Sequence, residues 1–121
     1  MSRARVVKEA LEENGVLFVA VHLETRNAGL ILLSEGEDQL GTLAVAIPQE
    51  QRMIGPPLSS ILLGDRNVTT ARLLAEELAK TINKIALVSV FTRTVSETEA
   101  GPTLLKLFRK IVGEEKAEAQ G

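Results

Sequence analysis

Four short segments of this 121-residue chain are apolar on both of their faces. They are VLFVAVHL (16–23), AGLILL (28–33), LAVAI (43–47) and IALVSVF (85–91). Of their 26 residues 23 are apolar and none is formally charged, so no register gives any of them a polar side. Val, Ile and Phe suit a pleated surface, and the segments read as strands. In the first, Leu17, Val19, Val21 and Leu23 point one way, and Val16, Phe18, Ala20 and His22 the other. Leu43, Val45 and Ile47 oppose Ala44 and Ala46 in the same manner, and Leu87 and Phe91 oppose Val88 and Val90. A half-exposed antiparallel sheet would alternate apolar with polar. This sheet must be covered twice.

A fifth strand lies in PLSSILL (57–63), entered through Gly55-Pro56-Pro57, and has to begin at or after Leu58 because proline cannot serve a central ladder. The acidic, glycine-containing loop SEGEDQLG (34–41) reads as a hairpin turn between two strands. One helix is expected from about 67 to 83. Ala71, Leu74, Ala75, Leu78 and Ile82 share its face, Asn67, Thr69 or Thr70 caps it, and Lys80 and Lys84 sit at its C-terminal end. A second is expected from 102 to 112, starting at Gly101-Pro102 and ending at Gly113, with Leu104, Leu105, Phe108, Ile111 and Val112 as its stripe. The domain therefore spans 1–113, and 114–121 is a polar tail. Residues 3–14 are ambiguous. Their Ala, Leu, Glu and Lys favour helix, whereas Asn14-Gly15 before a strong strand signals a hairpin.

Two helices of ~16–25 Å, at 1.5 Å per residue, cover one face of a sheet of five or six strands. The plain cover for the other face is a second subunit stacked sheet to sheet. The expected dimer face is Phe18, Ala20, His22, Ala44 and Ala46. It has the smaller residues and the only His, while the opposite side is richer in Leu, Val and Ile to match the helix stripes.

Composition excludes much chemistry. There is no Cys, hence no disulfide, thiolate metal site or cysteine nucleophile. One His rules out a multi-histidine metal site within a subunit, and its mid-strand position reads as a packed or interface residue. Ser59-Ser60 lack a G-x-S-x-G elbow, and Gly36–Gly41 lacks the Lys and Ser/Thr of a phosphate loop. No catalytic residue, metal or cofactor is expected. Fourteen basic residues against sixteen acidic ones, with no Trp or Tyr, argue against nucleic acid. The longest apolar run is too short to span a membrane, and acidic residues precede it, unlike a secretory signal. A soluble cytoplasmic protein is expected.

One long pattern remains, SSILLGDRNVTTARLLAEELAKTINKIALVSV (59–90), which is strand, Gly-Asp turn, capped helix, strand. It resembles the proteasome assembly chaperones of the third and fourth eukaryotic types. The matching stretches are LGTLAVAIP (40–48), SSILLGD (59–65), VTTARLLAEELAKTINKIALVSV (68–90) and the final helix. The fourth type is the nearer, through LLGD, TT and the Lys-Thr-x-Asn-Lys stretch. Together the motifs cover roughly 5–112, and their order and spacing are more specific than any one of them. The composition would suit a prokaryotic, archaeal-like homologue.

The resemblance implies an α+β fold, with a mostly antiparallel six-stranded sheet, two helices on one face and a dimer through the other. It makes residues 5–13 a first strand. It implies a non-enzymatic dimer, of identical or paralogous subunits, that binds proteasome α subunits and assists formation of the 20S core particle. The ending Ala119-Gln120-Gly121 differs from the hydrophobic-Tyr-any tail by which another class of proteasome factors docks. Arg66, Arg72, Lys106, Arg109 and Lys110 are the charged residues expected to meet a partner. The competing reading is a roadblock-like dimeric scaffold. That fold begins with a helix and has a long helix where this chain has only SEGEDQLG.

Overall fold

The computed structural model describes residues 3–49 and 58–120, with side chains through residue 113. Six strands and two helices follow in the order β1 (Arg5–Glu13), β2 (Val16–Glu24), β3 (Ala28–Glu35), β4 (Thr42–Ile47), β5 (Leu58–Leu63), α1 (Val68–Ile82), β6 (Ile85–Phe91) and α2 (Glu97–Gln120). The strands form one sheet in the order β1-β2-β3-β6-β4-β5. Only β3 and β6 run parallel; every other neighbouring pair is antiparallel. This is the α+β, mostly antiparallel architecture expected.

The segment at 5–13 is a strand, not the helix its propensities favour. Asn14 and Gly15 both take positive φ, 52° and 78°, which is the two-residue turn that joins β1 to β2. Pairing with an already strong strand outweighs a few tenths of a kilocalorie per residue of helical preference.

The loop at 34–41 is not a hairpin. β6 lies between β3 and β4, so the loop crosses the end of β6 to join strands that never touch. Local sequence could not reveal a strand arriving from fifty residues later. The crossing needs close approach. A Cβ on Gly41 would sit against the Val90 carbonyl and the Phe91 backbone. Gly41 N–H donates to Ser89 Oγ at 2.7 Å, while Ser34 Oγ accepts from Gln39 N–H at 3.1 Å.

The final helix also differs from expectation. It starts at Glu97, carries Pro102 inside it and continues through Gly113 to Gln120. Its start is capped by Ser96, which also pairs side chain to side chain with Glu99. Glu99 N–H donates to Ser96 Oγ at 3.3 Å, Ser96 Oγ donates to Glu99 Oε1 at 3.2 Å, and Ala100 N–H donates to the Ser96 carbonyl. That Ser-x-x-Glu signal is present in the sequence, five residues upstream of Gly101-Pro102. The Gly55-Pro56-Pro57 entry to β5 lies outside the described residues.

The core lies between the sheet and the helices. Phe18, Ala20, Ile31, Leu33, Ala86, Val88 and Val90 meet Ala71, Leu74, Ala75, Leu78 and Ala79 of α1 and Leu104, Leu107, Phe108 and Ile111 of α2, all essentially buried. α1 lies over β4, β5 and β6, and α2 over β1 and β2.

Candidate functional site

The cross-strand register sorts the side chains by face, since directly opposed residues share one. Phe18 opposes Leu11, Ala20 opposes Leu33 and Ala44 opposes Val88, and these belong to the helix side. Val21 opposes Leu32, Leu30 opposes Leu87 and Val45 opposes Leu87, and these belong to the other. No helix or strand of the described chain covers the second set. It is an apolar surface running from Leu17 and Leu23 through Leu30 and Leu87 to Val45, Ile47 and Leu58. At its margins Ile47 is 59% exposed and Leu58 71%. A contiguous apolar surface with a polar rim is the kind that marks a contact site.

The expected dimer face is therefore the wrong one. Phe18, Ala20, His22, Ala44 and Ala46 are each at most 2% exposed and lie beneath the helices of their own chain. Small residues sit there because α1 comes close. Its buried stripe is itself rich in alanine, at Ala71, Ala75 and Ala79, and packs over Ala44, Ala46 and Ala86. Bulky aliphatic residues fill the uncovered side instead.

Polar groups on the uncovered side are few. Ser34 and Ser89 project toward it but are sealed by the crossing loop. Lys8 and Glu12, opposite Val21 and Leu17, supply the charge along its β1 margin. The face thus has an apolar centre and a polar edge, as protein contact surfaces do.

The helix side is held by side chains from distant segments. Lys106 Nζ lies 2.6 Å from Glu13 Oε1 and Lys110 Nζ 3.3 Å from Glu9 Oε1, tying α2 to β1. Two of the five expected partner contacts thus serve the fold. The other three do not converge. Arg72 Nε donates to Ser59 Oγ at 3.1 Å, Arg66 lines a crevice at the start of α1, and Arg109 lines a groove of about 440 Å³ between the helices.

Two carboxylates do work that no motif announced. Glu97 of α2 caps α1. Its Oε2 accepts from Thr70 N–H at 2.8 Å and from Thr70 Oγ1 at 2.9 Å. Asn67, the residue before α1, is left-handed and spends its amide on Thr92 Oγ1 at 2.9 Å rather than on the helix end. Glu35, at the end of β3, accepts from Arg93 N–H at 2.8 Å, Thr94 N–H at 3.0 Å, Val95 N–H at 3.3 Å and the Thr94 hydroxyl. Burial alone would raise its pKa. The Thr94 hydroxyl and the three amides outweigh burial and hold it at about 2.

His22 packs beneath α1, near Ile82 and Gly29; a Cβ on Gly29 would lie 3.1 Å from its Nε2. Burial lowers its pKa. Glu24 opposes that shift, and Lys84 and Arg5 add to it. Among the described residues no group of three or more His, Asp or Glu could hold a metal ion, and no helix is long and apolar enough to cross a membrane.

No protein-family model matches the chain, and no curated protein matches it in sequence. The fold does have a counterpart. The chain superposes on a solved structure described as a novel chaperone complex for yeast 20S proteasome assembly, with a TM-score of 0.71. The match covers 95% of this chain and 97% of that one at 13% sequence identity, which shows a shared fold.

Proposed function

We propose that the protein is a non-enzymatic assembly factor that acts as a dimer, binds proteasome α subunits and assists formation of the 20S core particle. The observation that carries this reading is the likeness, over nearly the whole of both chains, to a chaperone built for 20S proteasome assembly. The uncovered apolar face supports the dimer. A sheet that is apolar on both sides and has helices on one gains most by burying the other against a copy of itself or a paralogous subunit. The partner is then left to the helix side and the sheet edges, where Arg66, Arg72 and Arg109 are the candidate contacts. A dimer presents each of these twice, which raises the effective concentration of the second contact. The working place of such a factor is the cytoplasm.

The test is size-exclusion chromatography of the purified protein with isolated proteasome α subunits and, separately, with intact 20S particles. Co-elution with free α subunits and not with the closed particle is expected. No co-elution at low salt, at concentrations where the dimer persists, would refute the role.

A further inference from the structure

One end of the sheet carries a concavity with more positive charge than its own packing uses. Arg3, Arg5, Glu24, Thr25, Arg26 and Lys84 line a pocket of about 210 Å³. Separate elements deliver them. Arg5 opens β1 opposite Glu24, Arg26 stands at the tip of the β2–β3 turn, and Lys84 immediately precedes β6.

The frame is rigid. Thr25 N–H donates to the Ala28 carbonyl at 2.8 Å, and Ala28 N–H donates back to Thr25 Oγ1 at 3.1 Å, which fixes the turn bearing Arg26. Lys84 Nζ bridges two elements, donating to Glu24 Oε2 at 2.6 Å and to the Thr25 carbonyl at 3.1 Å. That pair offsets its own charge. Three guanidiniums remain. Arg3, Arg5 and Arg26 are exposed and have no hydrogen bond or ion pair among the described residues. By contrast, Lys84, Lys106 and Lys110 each hold a carboxylate. Three unpaired cations thus converge on one cavity of a chain whose net charge is −2.

We propose that this pocket binds a carboxylate-bearing segment, an acidic peptide stretch presented by a protein partner. The planar guanidinium fork matches a carboxylate in two parallel hydrogen bonds, and arginines held on a fixed frame lose little freedom in making them. Glu24 at the pocket disfavours a doubly charged phosphate more than a singly charged carboxylate. A nucleic-acid backbone needs a basic track and aromatic platforms. Here the cations converge instead of forming a stripe, and no Phe lines the pocket. The inference stands apart from the proteasome reading. Its test uses a peptide rather than an α subunit, so either can fail alone.

Fluorescence anisotropy with a short labelled peptide of alternating Glu and Ser tests it, using the intact protein at low salt. Binding is expected for that probe and not for the matched Gln/Ser peptide. Arg5→Gln with Arg26→Gln should weaken binding by about tenfold or more. The control pair Lys80→Gln with Arg93→Gln removes equal charge from exposed positions outside the pocket and should leave binding within about twofold. Arg5→Lys with Arg26→Lys keeps the charge, loses the fork and should fall between. Arg26→Gln alone, at an exposed turn tip, guards against a folding defect in the pair. Absent binding of the Glu/Ser peptide, or equal losses in the control pair, would overturn the proposal. So would tighter binding of an oligothymidylate of the same length with the same arginine dependence.

Discussion

Replacing Glu35 by Gln should destabilise the protein at neutral pH and hardly at all in acid. The carboxylate ties the end of β3 to the segment that leads into α2, accepting from three amides and one hydroxyl. Gln retains a single acceptor oxygen and turns an NH2 group toward donors. The Glu35 carboxyl has its pKa lowered from 4.5 to about 2, a shift that corresponds to at most ~3–4 kcal/mol. Arg93 and Thr94 are exposed, so water can replace part of what is lost, and ~2 kcal/mol is the expected cost. At this chain length that lowers Tm by about 8 °C. The pH dependence has a definite sign. The folded-state pKa lies below the unfolded one, so the stabilisation is complete above about 4.5 and is lost as pH falls toward about 2. Thermal melts followed by circular dichroism at pH 7, 5, 4, 3 and 2, on wild type and Glu35→Gln, would show a gap that closes through that window. Equal gaps at pH 7 and pH 2, or no gap at pH 7, would refute the role assigned to this carboxylate.

Three further outcomes follow from the packing. His22 is buried and its pKa is lowered, so the unfolded chain takes up a proton first as pH falls below about 6.5. His22→Asn should flatten the loss of stability below that pH, measured by urea midpoints from pH 7.5 to 5. Ala44→Leu forces bulk between β4 and α1 and should cost ~1–3 kcal/mol by the same midpoints, because the site is fully buried. Gly64 sits at φ +93° with Thr42 against the place a Cβ would take, so Gly64→Ala should cost at least ~1 kcal/mol and lower Tm measurably.

Much of the fold was legible because the strands are so apolar. The strand at 85–91 matches the observed β6 residue for residue, and the two-sided pattern correctly announced a sheet with a second face to cover. What escaped was information that lies across the chain. The loop at 34–41 looks like a hairpin because nothing local says that β6 will intervene. Glu97 looks like an ordinary helix-start acid until α2 brings it to Thr70, 27 residues away. The face assignment failed for a physical reason. Small residues were assigned to a partner, but an alanine-striped helix packing close over the sheet also requires them. Ser96-x-x-Glu99 is a readable helix start in the sequence, and Gly101-Pro102 is only the more conspicuous signal. The arginine pocket was hidden because Arg3, Arg5, Arg26 and Lys84 come from three separate stretches of sequence.

The proposed dimer buries the uncovered side of the sheet against a second subunit. Light scattering at micromolar concentration, on wild type and on Val45→Lys with Leu87→Lys, tests it most directly. These two residues oppose each other across β4 and β6 at the centre of that face, away from both helices. Wild type should scatter at about twice the chain mass of 13.1 kDa. The variant should fall to the single-chain mass with its circular dichroism spectrum unchanged, since a charge there meets no partner across the interface. A 13.1 kDa wild type that binds no apolar dye, or a variant that remains a dimer, would contradict the claim.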